Sequence, residues 1–240
     1  MLVTGASRGI GREIAKLFAK NGYQVAVNYC LSQEQAESCV DEIQQQGGTA
    51  MMIGADVSNR LEVHNMIKQV YQSFGTIDIL VNNAGIAQQK LFTDLSEQDW
   101  INMFDINVKG VFEVTQAVLP PMIRQQQGNI VNISSMWGVT GASCEVHYSA
   151  AKAAVIGFTK ALAKEVGPSH INVNCVAPGV IQTQMNDLLS QQTIQTLKEE
   201  TPLGRIGTPK DIAELVLFLA SEKASFLTGQ IITADGGMTI

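Results

Sequence analysis

Tyr148 and Lys152 stand four residues apart at the head of the run YSAAKAAVIGFTKALAKE, a spacing that projects both side chains from one face of a helix. A free phenol, with a pKa of about 10, is a weak acid-base group at neutral pH, and a neighbouring ammonium favours its ionised form. Such a pair suits proton transfer to an oxygen that is becoming an alkoxide, as in reduction of a carbonyl group. Ser135 closes the apolar run NIVNISS that starts at Asn129, and its hydroxyl can steady that oxygen. Ser134 is the rival candidate; a turn serine, or a Tyr-x-x-x-Lys pair on a solvated helix face, is the plain alternative.

A second group of residues offers a place for a hydride carrier. Thr4-Gly5-Ala6-Ser7-Arg8-Gly9-Ile10-Gly11 follows a short strand signal directly and opens a helical pattern. Free backbone N–H groups and the helix dipole favour a pyrophosphate there, and glycines let the backbone come close to it. The TGxxxGxG spacing differs from GxGxxG, but tight turn and close approach work as in other dinucleotide folds. The candidate contacts are Gly5, Ser7, Arg8, Gly9, Ile10 and Gly11. The next strand signal ends Val27-Asn28-Tyr29-Cys30-Leu31-Ser32, without a carboxylate to repel a ribose 2′-phosphate, and Arg8 can supply charge to one. NADP(H) is therefore the expected cofactor, and its oxidised nicotinamide would join Lys152 in favouring the Tyr148 phenolate.

Both groups need a scaffold that gathers strand ends. Strand-like runs at 1–4, 23–29, 50–55, 77–81, 129–133, 171–176 and 230–233 alternate with helical patterns at 11–21, 33–46, 60–74, 98–118, 148–166 and 210–220. That rhythm predicts an α/β fold: a doubly wound (Rossmann) seven-stranded parallel sheet with helices on both faces. Ligands of such sheets bind beyond the carboxyl ends of the strands. Ser96 with Asp99, and Thr208 before Pro209, read as helix starts. Pro120-Pro121 should end or kink its helix. Met1-Leu2-Val3 is short for a buried strand, where about five residues are typical, which suggests a few missing residues ahead of it. No linker or internal repeat divides the chain, so one domain over 1–240 is expected.

Hydrophobic residues make up 45% of the chain and charged residues 16%, which supplies a large buried core. A net charge of −6 opposes nucleic acid and membrane surfaces as partners, though not an anionic cofactor held by backbone N–H groups. No apolar run reaches the ~18 residues of a membrane-spanning helix. The opening MLVTGASRGIG lacks the parts of a secretory peptide. Cys30, Cys39, Cys144 and Cys175 are scattered, without CxxC or zinc-type spacing, so a reduced, cytoplasmic, metal-free protein is expected.

Taken together, these motifs resemble the short-chain dehydrogenases/reductases, and within them the bacterial 3-oxoacyl-[acyl-carrier-protein] reductases. TGASRGIG, Asp56-Val57, Asn82-Asn83-Ala84-Gly85, Asn107, the Ser135/Tyr148/Lys152 set, Pro178-Gly179 and Asp235-Gly236-Gly237 occur in that family's order over essentially the whole chain. The resemblance implies NADPH-dependent reduction of a ketone to a secondary alcohol. It makes Tyr148 the proton donor, with Lys152 lowering its pKa and holding the ribose, Ser135 at the substrate oxygen, and Asn107 holding a water in a relay through Lys152. It assigns Asp56 and Val57 to the adenine, Asn83, Ala84 and Gly85 to the cofactor wall, and Pro178, Gly179, Ile181 and Thr183 to the nicotinamide side. A lid over 183–202, carrying Met185, Leu188, Leu189 and Ile194, and a homotetramer also follow from it.

The segment from Met136 to His147 departs from the commonest of these reductases, with Trp137 and Glu145 unusual there. Its Gly141-Ala142-Ser143-Cys144-Glu145-Val146 run resembles a branch from Gram-positive bacteria. Some members of that branch are similar to enzymes that reduce a ketone on a modified lysine of elongation factor P. The substrate stays open between a 3-oxoacyl group on acyl carrier protein, a protein-linked ketone and a small carbonyl compound. Lys90, Arg124 and Arg205 are the candidate cations for docking an acidic carrier. Cys144 is expected to be a buried thiol and His147 structural or rim-forming. A protein that only senses NADPH would show a damaged catalytic set, whereas this set is complete.

Overall fold

The computed structural model describes residues 1–184 and 190–240. In chain order the elements are β1 (Leu2–Val3), α1 (Gly9–Lys20), β2 (Gln24–Tyr29), α2 (Gln33–Gln45), β3 (Thr49–Gly54), α3 (Arg60–Phe74), β4 (Ile79–Asn82), α4 (Glu97–Phe104), α5 (Gly110–Gln125) and β5 (Gly128–Ile133). There follow α6 (Trp137–Thr140), α7 (Val146–Val166), β6 (Ile171–Pro178), α8 (Gln191–Glu200), α9 (Pro209–Leu219) and β7 (Ile231–Ala234).

The seven strands form one parallel sheet in the order β3-β2-β1-β4-β5-β6-β7. The chain winds outward in one direction from β1 to β3 and in the other from β4 to β7. A crevice therefore opens between the carboxyl ends of β1 and β4, the switch point at which such sheets bind ligands. Alternation along the strands splits the core between the faces. Val25 and Val27 of β2 belong to the cluster holding Ile14 and Phe18 of α1 and Ile212 and Val216 of α9. Ala26, between them, joins Val63 and Met66 of α3 and Val114 and Val118 of α5. Phe18 and Met66 are almost wholly buried, and each such side chain contributes on the order of 1.5–3 kcal/mol.

Both expected helix starts are capping boxes, Ser96 with Asp99 and Thr208 with Asp211. Two helix expectations need correction. The helix expected over 98–118 is interrupted: α4 passes through a π-helical stretch, Asp105–Lys109, before α5 begins. Nor do Pro120 and Pro121 end α5, which continues to Gln125. Buried Val111, Val114, Val118 and Met122 hold that helix to the sheet along a continuous stripe, which outweighs the roughly 3 kcal/mol handicap of an internal proline. In the 183–202 region the helix is α8, with Ile194 half-buried on it; Met185, Leu188 and Leu189 lie outside the described residues.

Candidate active site

β1 delivers its carboxyl end into the glycine turn, and the turn is shaped by what cannot fit there. Gly5 has φ +61°, and a Cβ on it would sit 2.8 Å from Ala84 Cα. On Gly11 a Cβ would meet Asn83 Nδ2 at 2.5 Å and Gly5 O at 2.6 Å. The Asn83 amide donates to the carbonyls of Thr4 and Gly5, and the Thr4 hydroxyl accepts from the N–H groups of Asn83 and Ala84. The β4 segment through Asn83, Ala84 and Gly85 is thus bolted to the turn across the crevice. Arg8 precedes α1 in an extended conformation with no side-chain cap, which leaves the first-turn N–H groups of Gly9, Ile10 and Gly11 available to an anion.

A cleft of about 380 Å³ runs beside this helix start, lined by Ser7, Arg8, Gly9 and Arg12 on one side and Gln182 and Thr183 on the other. Thr183 Cγ2 would lie 3.5 Å from a Cβ on Gly9. Arg12 is engaged, donating to the carbonyls of Ser7 and Gln35 and pairing with Glu42 at 2.7 Å. Arg8 is exposed and makes no ion pair among the described residues. Further round, Asp56 Oδ1 accepts from the backbone and hydroxyl of Ser58. Val57 packs against Gly110, where a Cβ would come within 2.6 Å of Val57 Cγ2. Pro178 O accepts from Met136 N, and Gly179 has Asp235 where a Cβ would be, at 2.6 Å. Ile181 is buried and bridges to Gly207. Of the residues expected at the dinucleotide, Ser7, Arg8, Gly9 and Thr183 line this cleft.

Across from the turn, α7 presents Tyr148 and Lys152. Lys152 Nζ lies 5.8 Å from the centre of the Tyr148 ring and donates to Ile133 O at 3.1 Å. Burial pushes the phenol up to about 12; a hydrogen bond from Ser135 opposes that shift and the charge of Glu145 adds to it. Burial lowers the Lys152 ammonium to about 8. Both groups are thus driven toward neutrality by desolvation, and the ionised pair needs a further positive charge beside it. The two serines separate here. Ser134 Oγ donates to Lys152 O at 2.8 Å and ties β5 to α7, whereas Ser135 faces the phenol and accepts from Trp137 N.

Asn107 occupies the π-helical stretch and is fully buried. Its amide donates to Ile86 O and Met103 O, while Oδ1 has no partner among the described residues. That oxygen and Lys152 Nζ converge on Gly85, at 2.6 and 3.3 Å from a Cβ placed there. The extra residue of a π-turn aims the side chain inward, a use of such turns that recurs at functional sites.

The segment before Tyr148 packs on α7. Gly138 lets α6 lie against α7, since a Cβ there would fall 2.7 Å from Lys152 C. Cys144 is half-buried with φ +61°, and its carbonyl accepts from Lys90 N. His147 is not at the rim as one reading had it: it is fully buried, with Nε2 3.1 Å from Gln88 Oε1. Neighbouring residues of a helix point apart, and Tyr148 takes the crevice side. Two of the supposed docking cations are occupied, Lys90 by Asp99 at 2.7 Å and Arg205 by both oxygens of Asp211.

Asn28 stands in the sequence where an acid would repel a 2′-phosphate, and the structure gives it a further role. Its Oδ1 accepts from Gly5 N, and its amide donates to the carbonyls of Tyr29, Ile53 and Ala55, so it pins the glycine turn to β2 and β3. An asparagine inside a buried β-branched run was the available signal. The buried chain Thr115, Asn82, Asn132, Thr159, joined by side-chain hydrogen bonds across β4 and β5, likewise has no signal in local spacing.

A crevice built for a dinucleotide at the switch point of a parallel sheet, faced by a phenol, a hydroxyl and an ammonium, defines an oxidoreductase. Comparison with known proteins agrees. A family profile described as enoyl-(acyl carrier protein) reductase matches residues 5–239. The chain is 48% identical over 237 residues to 3-oxoacyl-[acyl-carrier-protein] reductase FabG of Staphylococcus aureus, covering 99% of this chain and 96% of that protein. It is 43% identical to the Thermotoga maritima protein of the same name, covering 100% and 97%. The crystal structure of a 3-oxoacyl-[acyl-carrier protein] reductase from Brucella melitensis superposes with a TM-score of 0.95 at 34% identity, covering 100% of this chain and 90% of that one. The chain belongs to the short-chain dehydrogenase/reductase family, whose members use a nicotinamide cofactor.

Proposed function

We propose that this chain reduces a ketone to a secondary alcohol with NADPH, the substrate being a 3-oxoacyl group carried on acyl carrier protein. The observation that carries the reading is the convergence of the Ser135 hydroxyl and the Tyr148 phenol, with Lys152 over the phenol ring. Two hydroxyls aimed at one point suit a carbonyl oxygen that becomes an alkoxide. The relatives' names point to the same substrate.

When bound, the reduced nicotinamide supplies the hydride. Ser135 holds the carbonyl oxygen, and Tyr148 gives its proton to that oxygen as carbon accepts the hydride, so that C=O becomes CH–OH. Lys152 stabilises the phenolate left behind and holds the ribose hydroxyls. Asn107, through its unpartnered Oδ1, positions a water that returns a proton by way of Lys152. Gly5, Ser7, Arg8, Gly9, Ile10 and Gly11 bind the pyrophosphate end, Asp56 and Val57 the adenine, and Asn83, Ala84 and Gly85 the middle. Pro178, Gly179, Ile181 and Thr183 line the nicotinamide side. NADPH is favoured over NADH because Asn28-Tyr29-Cys30-Leu31-Ser32 brings no carboxylate to the 2′-phosphate, and Arg8, which makes no ion pair among the described residues, can meet it.

The 240 residues act as one domain, and the 183–202 region serves as a lid. Its described helix α8 has no buried residue, and its end at Thr201 packs on Gly236. A homotetramer is the proposed assembly. Trp100 and Phe112 leave an apolar face on α4 and α5, and Phe226 and Ile240 leave another beyond the sheet edge at β7. Among the described residues no helix is long and apolar enough to cross a membrane, and all four cysteines are free thiols, which supports a cytoplasmic site of action.

The test is nicotinamide oxidation with a 3-oxoacyl thioester, run with NADPH, with NADH and with Tyr148→Phe. Turnover with NADPH that falls by about 10²–10⁴ in the variant is expected. Undiminished turnover in Tyr148→Phe would remove the phenol from the chemistry.

A further inference from the structure

Between β4 and α4 the chain runs through Ile86-Ala87-Gln88-Gln89-Lys90 without regular secondary structure, and this strap is tied on both sides. Ile86 O accepts from the Asn107 amide. Gln88 Oε1 lies 3.1 Å from His147 Nε2, while the Gln88 amide donates to Asp99 Oδ1 at 3.1 Å. Gln89 donates to Glu145 Oε1, and the Lys90 N–H donates to Cys144 O. The start of α7 needs such ties. Its first-turn N–H groups have no intrahelical partner, Glu145 supplies no side-chain cap, and Cys144 enters at φ +61°. Helix ends of this kind fray, and this one carries Tyr148 in its first turn.

Hydrogen bonds from Lys90 and Ser96 hold the Asp99 carboxyl well below the usual carboxylate range, so it can only accept. That fixes the amide of Gln88, whose nitrogen must face the carboxylate and whose oxygen must face the imidazole. The oxygen in turn calls for an N–H at His147 Nε2. A neutral imidazole carries one N–H. On Nδ1 it would be buried without an acceptor, since Nδ1 has no partner among the described residues, and the lone pairs of Nε2 and Gln88 Oε1 would oppose each other at 3.1 Å. A carboxylate on α4 thus dictates, through one glutamine, which nitrogen of His147 carries the proton next to Tyr148.

We infer that Gln88 is a positioning residue for the proton donor: by fixing the Nε2–H tautomer of His147 and tying that ring to Asp99, it holds the first turn of α7, and with it the Tyr148 phenol, in register with Asn107. The inference rests on the reductase reading above. Gln88 and His147 act through Tyr148 and not on the substrate. Asp99 keeps Lys90 and Ser96 when Gln88 is replaced, so the start of α4 survives and the effect falls on α7.

The experiment compares the wild type with Gln88→Met, which keeps the length without the hydrogen bonds, with His147→Leu, and with His147→Gln, which can place a donor where Nε2 stands. Turnover of a 3-oxoacyl thioester with NADPH is measured beside NADPH affinity by fluorescence titration. Gln88→Met and His147→Leu should each lower kcat by about tenfold with NADPH affinity within about twofold of wild type, and His147→Gln should recover most of the loss. Gln88→Asn, whose amide is too short to span both partners, gives a second reading should the methionine variant fold poorly. Long-range nitrogen–proton NMR at about pH 8 should show the Nε2–H tautomer of His147, identified among the three histidines by its absence in His147→Gln. An Nδ1–H tautomer, an unchanged kcat in Gln88→Met, or a kcat as low in His147→Gln as in His147→Leu overturns the inference. So does a loss of NADPH affinity that matches the loss of kcat, which would make the strap a support of the whole crevice. If the wild type turns over no 3-oxoacyl thioester, the reductase reading falls and the role given to Gln88 falls with it, whereas the tautomer, read without substrate, still reports on the hydrogen-bond chain.

Discussion

At the glycine turn, side chains are kept out: Gly5 and Gly11 have Ala84, Asn83 and backbone where a Cβ would stand. In the segment from Ser135 to Tyr148, side chains carry the site instead, the Ser135 hydroxyl meeting the phenol. The turn offers backbone N–H groups and a helix dipole, which serve a pyrophosphate whatever the substrate. That segment offers groups whose charge and shape can change without disturbing the sheet. Cofactor binding is thus tied to folding, whereas substrate choice is free to vary.

The sharpest test of that division is the serine pair. Ser135→Ala should lower kcat by about a hundredfold with unchanged thermal stability, since it removes one donor to the substrate oxygen. Ser134→Ala should leave the chemistry nearly intact and cost about 1 kcal/mol of stability, by freeing the Lys152 carbonyl. Kinetics and denaturant titration of both variants decide it; a reversed pattern would break the assignment.

On the other side, Gly11→Ala should destabilise the fold by about 1–3 kcal/mol and weaken NADPH binding together, because the added methyl forces Asn83 and the turn apart. Gly22→Ala makes a useful contrast. Unlike Gly11 it has a positive φ, +85°, and nothing within 4 Å, so only the backbone term of about 1 kcal/mol should appear and NADPH affinity should hold. Arg8→Ala should narrow the preference for NADPH over NADH about tenfold, as judged by kcat/KM for each, with little effect on stability.

A further effect is expected on the pH dependence of stability. Lys152 titrates near 8 in the folded chain against 10.5 when free, so between those values the unfolded chain binds the extra proton and stability rises with pH. The penalty is fully present below pH 8. Tyr148 has the opposite sign: raised from 10 to about 12, it lets stability fall as pH climbs through that window. Lys152→Met should therefore flatten the rise in unfolding free energy between about pH 8 and 10, measured by urea titration.

Much of this was legible in the residues because the signals are local. Alternating β-branched runs and helical patterns predict the parallel sheet, and Ser96 and Thr208 mark their helices through their own first turns. Where the reading slipped, a tertiary contact outweighed a local preference. Pro120 and Pro121 remain inside α5 because the buried stripe through Val118 and Met122 holds it to the sheet. The π-helical stretch at Asn107 and the burial of His147 involve partners far along the chain, Ile86 and Gln88, that no spacing rule reveals.

The sequence by itself determined the sheet, the glycine turn and the residue types of the site, because periodicity, turn chemistry and helical spacing act over a few residues. Only the tertiary structure decided which serine faces the phenol, that Asn28 pins the glycine turn, and that among the described residues Arg12 is ion-paired whereas Arg8 is not. Those outcomes depend on which groups meet across the crevice and how far water is excluded there, and hydrogen bonds and charges take their strength from that enclosure.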